Sequence, residues 1–417
     1  MDQTGAERSA SVTELRILRL AAGGDGVGRL PDGKTVFVPR TAPGDLAELS
    51  EVRDHKRFAR ARVRRVVEPS PLRVDPRCPH YVADQCGGCQ LQHLEYQAQL
   101  SARQSFIGDA LRRLGKRDVP DPPIVPAAKP YDYRTKLTLH VSAGGRRIGL
   151  HPYDRPDQVF DLVWCHITVP ELMTMWQAVR KLRTLLPLAL EQVVLRLDRS
   201  GGRHLLLRVG KSEVWSGAQR LLRAMQRDGI TATIWWQPEG GAARAVAGAG
   251  EAYPATVFEQ VHPEMGDRVR EFAVQQLGDV AGHKVWDLYA GIGETTERLV
   301  RHGAIVESVE LDRRAVAEAE ASGSAARRHT GRVEDVLREL RPPDLVIVNP
   351  PRSGLDARVS AELERLVPRR LVYISCDPAT LARDLQRLPR FDLKLVQAFD
   401  LFPQTTHVET VAVLEPT

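Results

Sequence analysis

Five cysteines carry most of the reactive chemistry in this sequence, and their spacing divides them into two groups. Cys376 stands alone in Leu371–Leu385, LVYISCDPATLARDL, where a short apolar run meets Ser375-Cys376-Asp377-Pro378. The run predicts a buried strand, and Asp377-Pro378 predicts the N-cap and first position of a helix. A thiol at such a junction lies near the positive end of a helix dipole, which favours thiolate, although the Asp377 carboxylate works against it. On its own, Cys376 reads first as a small buried core residue and only second as a nucleophile.

The other cysteines are spaced for a different task. Cys78, Cys86 and Cys89 fall in CPHYVADQCGGCQLQH, too close together and in too polar a setting for three chance core residues. They predict a metal site with a fourth thiolate from elsewhere, for which Cys165 in Asp161–His166 is the candidate besides Cys376. Gly87-Gly88 would let backbone N–H groups approach sulfur, which suits an iron–sulfur cluster; the spacing also admits structural zinc. An odd number of cysteines without an export signal argues against a disulfide framework.

These residues need scaffolding, and 417 residues predict two or three domains. From about Val12 to Glu68 short alternating runs are separated by Gly-Asp-Gly, Pro-Asp-Gly and Ala-Pro-Gly-Asp turns. That pattern predicts a small OB-like barrel, an architecture that often holds single-stranded nucleic acid. It ends in a basic stretch, Val52–Arg65, which reads either as a solvated face or as an RNA contact. The formal net charge of +6 is modest for a nucleic-acid binder. Residues from about Tyr131 to Gln237 mix strand-like and helix-like runs, as in an α+β unit. No apolar run reaches the roughly 18–20 residues of a membrane span. The N-terminus has neither the apolar core nor the cleavage pattern of a signal peptide, so a cytoplasmic protein is expected.

From about Thr256 onward strands and helices alternate, the signature of a doubly wound sheet. Val285-Trp-Asp287-Leu-Tyr289-Ala-Gly291-Ile-Gly293 predicts a strand running into a glycine-rich turn, and Ile305–Glu310 predicts a second strand with an acid at its tip. Glycines permit close backbone approach and the acid accepts hydrogen bonds from ribose hydroxyls, so a nucleoside ligand is expected. The third glycine of a dinucleotide fingerprint is missing, which favours S-adenosylmethionine. Asp344–Arg352 ends a further strand in Asn349-Pro350-Pro351. Ligands of open α/β sheets sit at the carboxyl ends of the strands, so Asp287, Glu310, Asn349 and Cys376 should share one edge. The last run, from His407 through Glu409, follows Lys394-Leu-Val-Gln closely enough for a hairpin. If it is antiparallel to the rest, Glu409 faces Cys376.

Cys78…Cys86-Gly-Gly-Cys89-x-x-Gln92-His93, Phe258-Glu-Gln260-Val, Asp287–Gly293, Pro350-Pro-Arg-x-Gly354, Ser375-Cys376-x-Pro378 with Arg383-Asp384, and His407-x-Glu409 occur here in this order. In that combination the chain resembles the RNA uracil-5-methyltransferase family, of the 23S rRNA type with a TRAM domain and a [4Fe-4S] cluster. The resemblance implies a multidomain α/β protein with a TRAM β-barrel over 8–68 and a central α+β RNA-binding domain with the cluster over 69–255. A doubly wound class I (Rossmann-like) methyltransferase domain would follow over 256–417. It implies that Cys78, Cys86, Cys89 and Cys165 hold the cluster. Gln260, Tyr289, Gly291, Gly293, Glu294, Glu310 and Asn349 would serve the cofactor site, Gln260, Tyr289 and Glu310 matching contacts to cofactor or uracil. Cys376 would be the nucleophile and Glu409 the general base. RNA is the implied partner, 23S rRNA ahead of tRNA, with no membrane and no obligate protein partner.

The sequence departs from that family at four points. Asn349 replaces the usual Asp before Pro-Pro-Arg, Glu294 stands where Asn is usual, Arg332 falls near a position that tends to hold Asn or Asp, and the Cys78–Cys86 gap is longer. Two rival readings arise from the same positions. Asn-Pro-Pro also begins the signature of adenine amino methyltransferases, although Arg352 stands where those need an aromatic residue. The substitutions at Asn349 and Glu294 could instead mark a catalytically weakened RNA-binding or chaperone-like homologue.

Overall fold

In the computed structural model, which describes residues 13–210, 215–249, 260–321 and 323–417, the glycine-punctuated first strands curl into a barrel. Their order is Thr13–Arg16, Leu46–Asp54, Phe58–Glu68, Thr35–Val38, Gly26–Arg29 and Arg19–Leu20. The first and last are one run broken only at Ile17-Leu18, so the sheet returns to its own start. Gly33 takes φ 83° in the Pro31-Asp32-Gly33 turn, a left-handed conformation that glycine adopts without a Cβ clash. Inward positions alternate along each strand and fill the barrel with Leu15, Ile17, Val36, Val38, Ala47, Leu49, Ala59 and Ala61. The expected barrel start at residue 8, the 255/256 boundary and Phe258-Glu259 lie outside the described residues.

The basic strand Phe58–Glu68 is less charged in space than in sequence. Arg64 and Arg65 meet Glu48 at 3.1 and 2.6 Å, and Arg62 meets Glu51 at 3.2 Å. Arg62 also pairs with Asp154 of the central unit. Arg40 adds a second link between barrel and centre, donating to the Cys86 carbonyl at 2.9 Å and covering the Tyr81 ring.

The central sheet has seven strands, in the order Phe160–Asp161, Ile148–Leu150, Lys136–Val141, Leu190–Leu197, Arg203–Val209, Thr233–Pro238, Arg244–Ala247. Helices Pro170–Lys181 and Ala218–Arg227 bury their apolar faces on it, Trp176 and Met225 meeting Leu139, Leu195 and Leu207.

The third sheet has eight strands. Its order is Arg327–Thr330, Ile305–Glu310, Lys284–Leu288, Leu345–Val348, Arg370–Ser375, Glu409–Pro416, Phe391–Phe399, Ile124–Val125. The first five are parallel, and Glu409–Pro416 runs antiparallel to Arg370–Ser375. The edge strand Ile124–Val125 comes from the middle of the sequence, as does helix Tyr96–Arg113, whose Ile107 and Leu111 are fully buried in this sheet's core. The stretch 69–255 therefore contributes to two sheets. A buried ion pair pins that helix down: Arg103 and Asp400, both without solvent exposure, meet at 3.2 Å, and Tyr96 donates to Asp400 at 2.6 Å. Among the described residues no helix is long and apolar enough to cross a membrane.

Candidate active site

Leu371–Ile374 are buried because their strand lies between two neighbours with helices packed on it, the one polar group among them, the Tyr373 hydroxyl, donating to Asp384 at 2.8 Å, and the strand stops where polarity returns at Ser375. Asp377 then caps helix Pro378–Gln386, accepting from the Thr380 amide at 2.7 Å. Cys376 sits in the joint, half-buried. On the neighbouring strand the antiparallel register sets Thr410 opposite Ser375, so Glu409 and Cys376 occupy adjoining positions one step further along the ladder.

The surroundings of the two groups are unlike. Glu409 is 2 % exposed and its Oε2 has no hydrogen-bond partner. Burial pushes its carboxyl up to about 8, against the opposing pull of Arg270 and Arg352. The Cys376 thiol is raised by burial and then by Glu409, while the Arg352 guanidinium, which hydrogen-bonds it, acts the other way. Near neutral pH Glu409 is mostly protonated, so the repulsion that would hinder thiolate formation is largely absent. His407 stands exposed nearby.

The cofactor edge is built from left-handed backbone. Tyr289, Gly291 and Gly293 have φ of 64°, 58° and 81°, and a Cβ on Gly293 would come within 2.6 Å of the Arg328 guanidinium. Glu310 reaches from the next strand tip to accept from the Gly291 amide at 2.9 Å and the Asp312 amide at 2.8 Å. Asp287, buried beneath the loop with its carboxyl raised to about 6 by desolvation, accepts from Thr296 Oγ1 at 2.5 Å. Gln260 carries a buried Oε1 with no partner, an acceptor free for a ligand. Asn349 is exposed at the end of Leu345–Val348, its amide bonded to the Leu288 carbonyl at 3.1 Å. Glu294, the other acid of this edge, is already paired: Arg270 meets its two oxygens at 3.1 and 3.2 Å, and Arg199 pairs with it too.

Cys78, Cys86, Cys89 and Cys165 line one cavity of about 290 Å³, shared with Tyr81, Gln92 and His166. Burial and the neighbouring thiols push Cys86 up to about 12 and raise Cys78 and Cys89 as well. The Gly88 amide lies 3.4 Å from Cys86 Sγ, as the glycine pair suggested. Among the described residues, no group of three or more His, Cys, Asp or Glu has the arrangement of a metal-ion site. The cysteine loop is stitched to the loop before Glu409: the Gln90 and Leu91 amides both donate to the Gln404 carbonyl, at 3.1 and 3.0 Å.

A larger cleft, about 810 Å³, opens from Cys376 and His407 toward Phe106 and the barrel residues Leu18, Arg19 and Leu20. Arg352 and Arg270 are the site residues that sequence reasoning missed. Arg352 is visible in Pro350-Pro-Arg-x-Gly354, but that motif by itself gives it no role; Arg270 lies in an ordinary amphipathic helix and carries no local signal.

Comparison with known proteins fits this geometry. The family described as tRNA (Uracil-5-)-methyltransferase matches residues 304–417, and the TRAM domain matches residues 7–63. An uncharacterized RNA methyltransferase of Gloeobacter violaceus is 32% identical over 453 residues, covering 99% of this chain and 98% of its own. The 23S rRNA (uracil(1939)-C(5))-methyltransferase of Azoarcus sp. is 32% identical over 428 residues, covering 94% of this chain and 97% of its own. Among solved structures, the Pyrococcus abyssi tRNA (uracil-54, C5)-methyltransferase in complex with S-adenosyl-L-homocysteine shares the fold, with a TM-score of 0.72 at 23% identity over 96% of this chain and 100% of that one. Identity of that extent, spread over nearly the whole of both chains, shows that this protein belongs to the RNA uracil-5-methyltransferase family and is an S-adenosylmethionine-dependent RNA (uracil-C5)-methyltransferase.

Proposed function

We propose that the chain methylates C5 of a uridine in 23S rRNA through a covalent bond between Cys376 and uracil C6. The observation that carries this reading is the antiparallel pairing that sets a buried, partner-free carboxyl beside a half-buried thiol. Uracil C5 is a poor nucleophile, and thiolate addition at C6 sends the C5–C6 π electrons toward the C4 carbonyl as an enolate, making C5 carbanion-like. S-adenosylmethionine, when bound, supplies the methyl group that C5 takes. Gln260, Tyr289, Gly291, Gly293, Glu310 and Asn349 would hold it, the orphaned Gln260 oxygen and the left-handed loop fitting a nucleoside. Glu409 then accepts the C5 proton, the electrons of that bond restore C5–C6, and Cys376 leaves as thiolate. Arg352 stabilises the thiolate at both ends of the cycle.

The target base must be turned out of its RNA structure, at a cost of about a few kcal/mol. The cleft from Cys376 to the barrel offers the surface to offset it. The choice of 23S rRNA is supported by the printed activity of the Azoarcus relative. Cys78, Cys86, Cys89 and Cys165 would hold a [4Fe-4S] cluster, which when bound would tie together the separate segments that supply the thiols. Support comes from four sulfurs converging on one cavity with amide N–H groups beside them.

Fluorine cannot leave C5 as a proton, so RNA containing 5-fluorouridine should trap the enzyme as a denaturation-resistant adduct with S-adenosylmethionine present. The wild type should form it and Cys376→Ala should not; an adduct surviving that substitution would exclude Cys376 as nucleophile. Mapping 5-methyluridine in a deletion strain tests the target: loss from tRNA with 23S rRNA unchanged would overturn the rRNA assignment.

A further inference from the structure

Glu294 and Arg270 form part of a charge cluster at the seam between the central sheet and the third sheet. Arg270, on helix Pro263–Gln276, is 8 % exposed. Its guanidinium meets Glu294 at 3.1 and 3.2 Å and Asp267 at 3.0 Å. Arg298 meets Asp267 at 2.8 Å, and Arg199, from the turn after the central strand Leu190–Leu197, reaches both acids. The same helix packs on Arg370–Ser375 and Glu409–Pro416, the two strands that present Cys376 and Glu409. Two buried polar atoms there lack partners, Arg270 Nε and Glu409 Oε2. Asp267 and Glu294 are shared among three guanidiniums, Arg270, Arg298 and Arg199, so neither acid is spent on Arg270 alone.

We propose that Arg270 is a positioning residue for the proton-transfer step: clamped between Asp267 and Glu294, it presents its charge to Glu409 and favours the ionised base, while Glu294 tempers that charge from the cofactor loop. The inference rests on Glu409 being the base. The charged and titratable groups that face Glu409 are Arg270 from the helix, Arg352 from the diproline turn and Cys376 from the adjacent strand end. Arg270 is the first of the two charges that pull the carboxyl down against its burial.

The two partners should act in opposite directions. Removing the cation leaves Glu409 harder to ionise, and removing the tempering acid leaves the cation more effective. The test compares full-length holoenzyme, Arg270→Gln and Glu294→Gln at saturating S-adenosylmethionine, reading turnover on an RNA transcript against pH. The acid limb of turnover should move up by about one unit in Arg270→Gln and down by a smaller amount in Glu294→Gln. The pH dependence of adduct formation with 5-fluorouridine RNA should move less than the turnover limb in both, because that assay stops before proton removal and senses Glu409 only through its charge on Cys376. Limbs that stay put, or that move in the same direction, would overturn the proposal, as would a Glu294→Gln effect confined to the KM for S-adenosylmethionine. If Arg270→Gln does not fold, the direction of the Glu294→Gln shift decides alone. A Glu409→Gln enzyme that still turns over with an unmoved limb would instead overturn the base assignment itself.

Discussion

Three cysteines of the small cavity, Cys78, Cys86 and Cys89, and the single cysteine of the cleft are all raised by burial, yet their neighbours differ. In the cavity those three are raised further by neighbouring thiols, and the relief comes from N–H donors, the Gly88 amide for Cys86 and the Gln92 side chain for Cys89. Successive ionisations there oppose one another, and the proposed metal centre, when bound, would take the place of the protons. Cys376 has two acids, Glu409 and Asp377, and one cation, Arg352, for company. Glu409 is mostly neutral near pH 7, and Arg352 lies within hydrogen-bonding reach. A thiolate at that position can form beside the Arg352 guanidinium, bond to carbon and be released, with no second thiolate opposing it. Burial alone therefore says little about what a cysteine does; the charge that meets its thiolate says more.

The strongest way to break this comparison is to remove the acid from the cleft. Glu409→Gln should lower turnover by about 10²–10⁴-fold, the usual worth of a positioned proton acceptor. Adduct formation should survive, so enzyme covalently bound to ordinary uridine RNA should accumulate on denaturing gels. Equal loss of adduct and turnover would show that Glu409 serves thiol attack and not proton removal. The sign of the pH dependence follows from a carboxyl raised to about 8 that works only when ionised. Turnover should climb about tenfold per pH unit below that value and flatten above it, whereas a carboxyl of ordinary acidity would give a flat profile from pH 6 upward.

A smaller effect is expected at the cavity. Cys89→Ser, or removal of iron by a chelator, should abolish visible absorbance in anaerobically purified protein and lower its apparent unfolding temperature by roughly 5 °C or more. Because the Gln90 and Leu91 amides hold Gln404, some loss of turnover should follow through the loop before Glu409. Adduct yield per folded molecule should fall less than turnover. Colourless protein loaded with zinc would sink the cluster and leave a structural zinc site.

Much of this was legible because period and direction carry information. Alternation and glycine turns exposed the barrel, and apolar runs ending in Asp287, Glu310, Asn349 and Cys376 exposed the sheet edge. The Cys376–Glu409 meeting needed one topological condition, an antiparallel last strand, and the pairing of Ser375 with Thr410 meets it. What stayed hidden were relations between distant segments. A two-residue strand such as Ile124–Val125 has no period, so nothing marked it for an edge of the third sheet. The arginines of Val52–Arg65 were countable, but Asp154, which meets Arg62, lies far along the chain. Glu294 was noticed as a departure, while Arg199 and Arg270, which explain where it points, were not.

The barrel touches both cysteine regions through different arginines, which gives the smallest and most discriminating test. Arg62 is spent on Glu51 and Asp154 beside the central unit, whereas Arg19 lines the cleft that leads to Cys376 and is exposed. An arginine already matched by two carboxylates releases few counter-ions from RNA, and a partly exposed pair of this kind contributes about 0–1 kcal/mol to stability. Arg62→Ala should therefore leave the slope of log affinity against log salt unchanged and alter affinity by less than about threefold. Arg19→Ala should reduce that slope by about 0.7–0.9, the signature of one lost phosphate contact. Filter binding of the target transcript at several salt concentrations reads both. If Arg62 moves the slope and Arg19 does not, the RNA crosses the basic strand instead of the cleft, and the path to Cys376 would have to be redrawn.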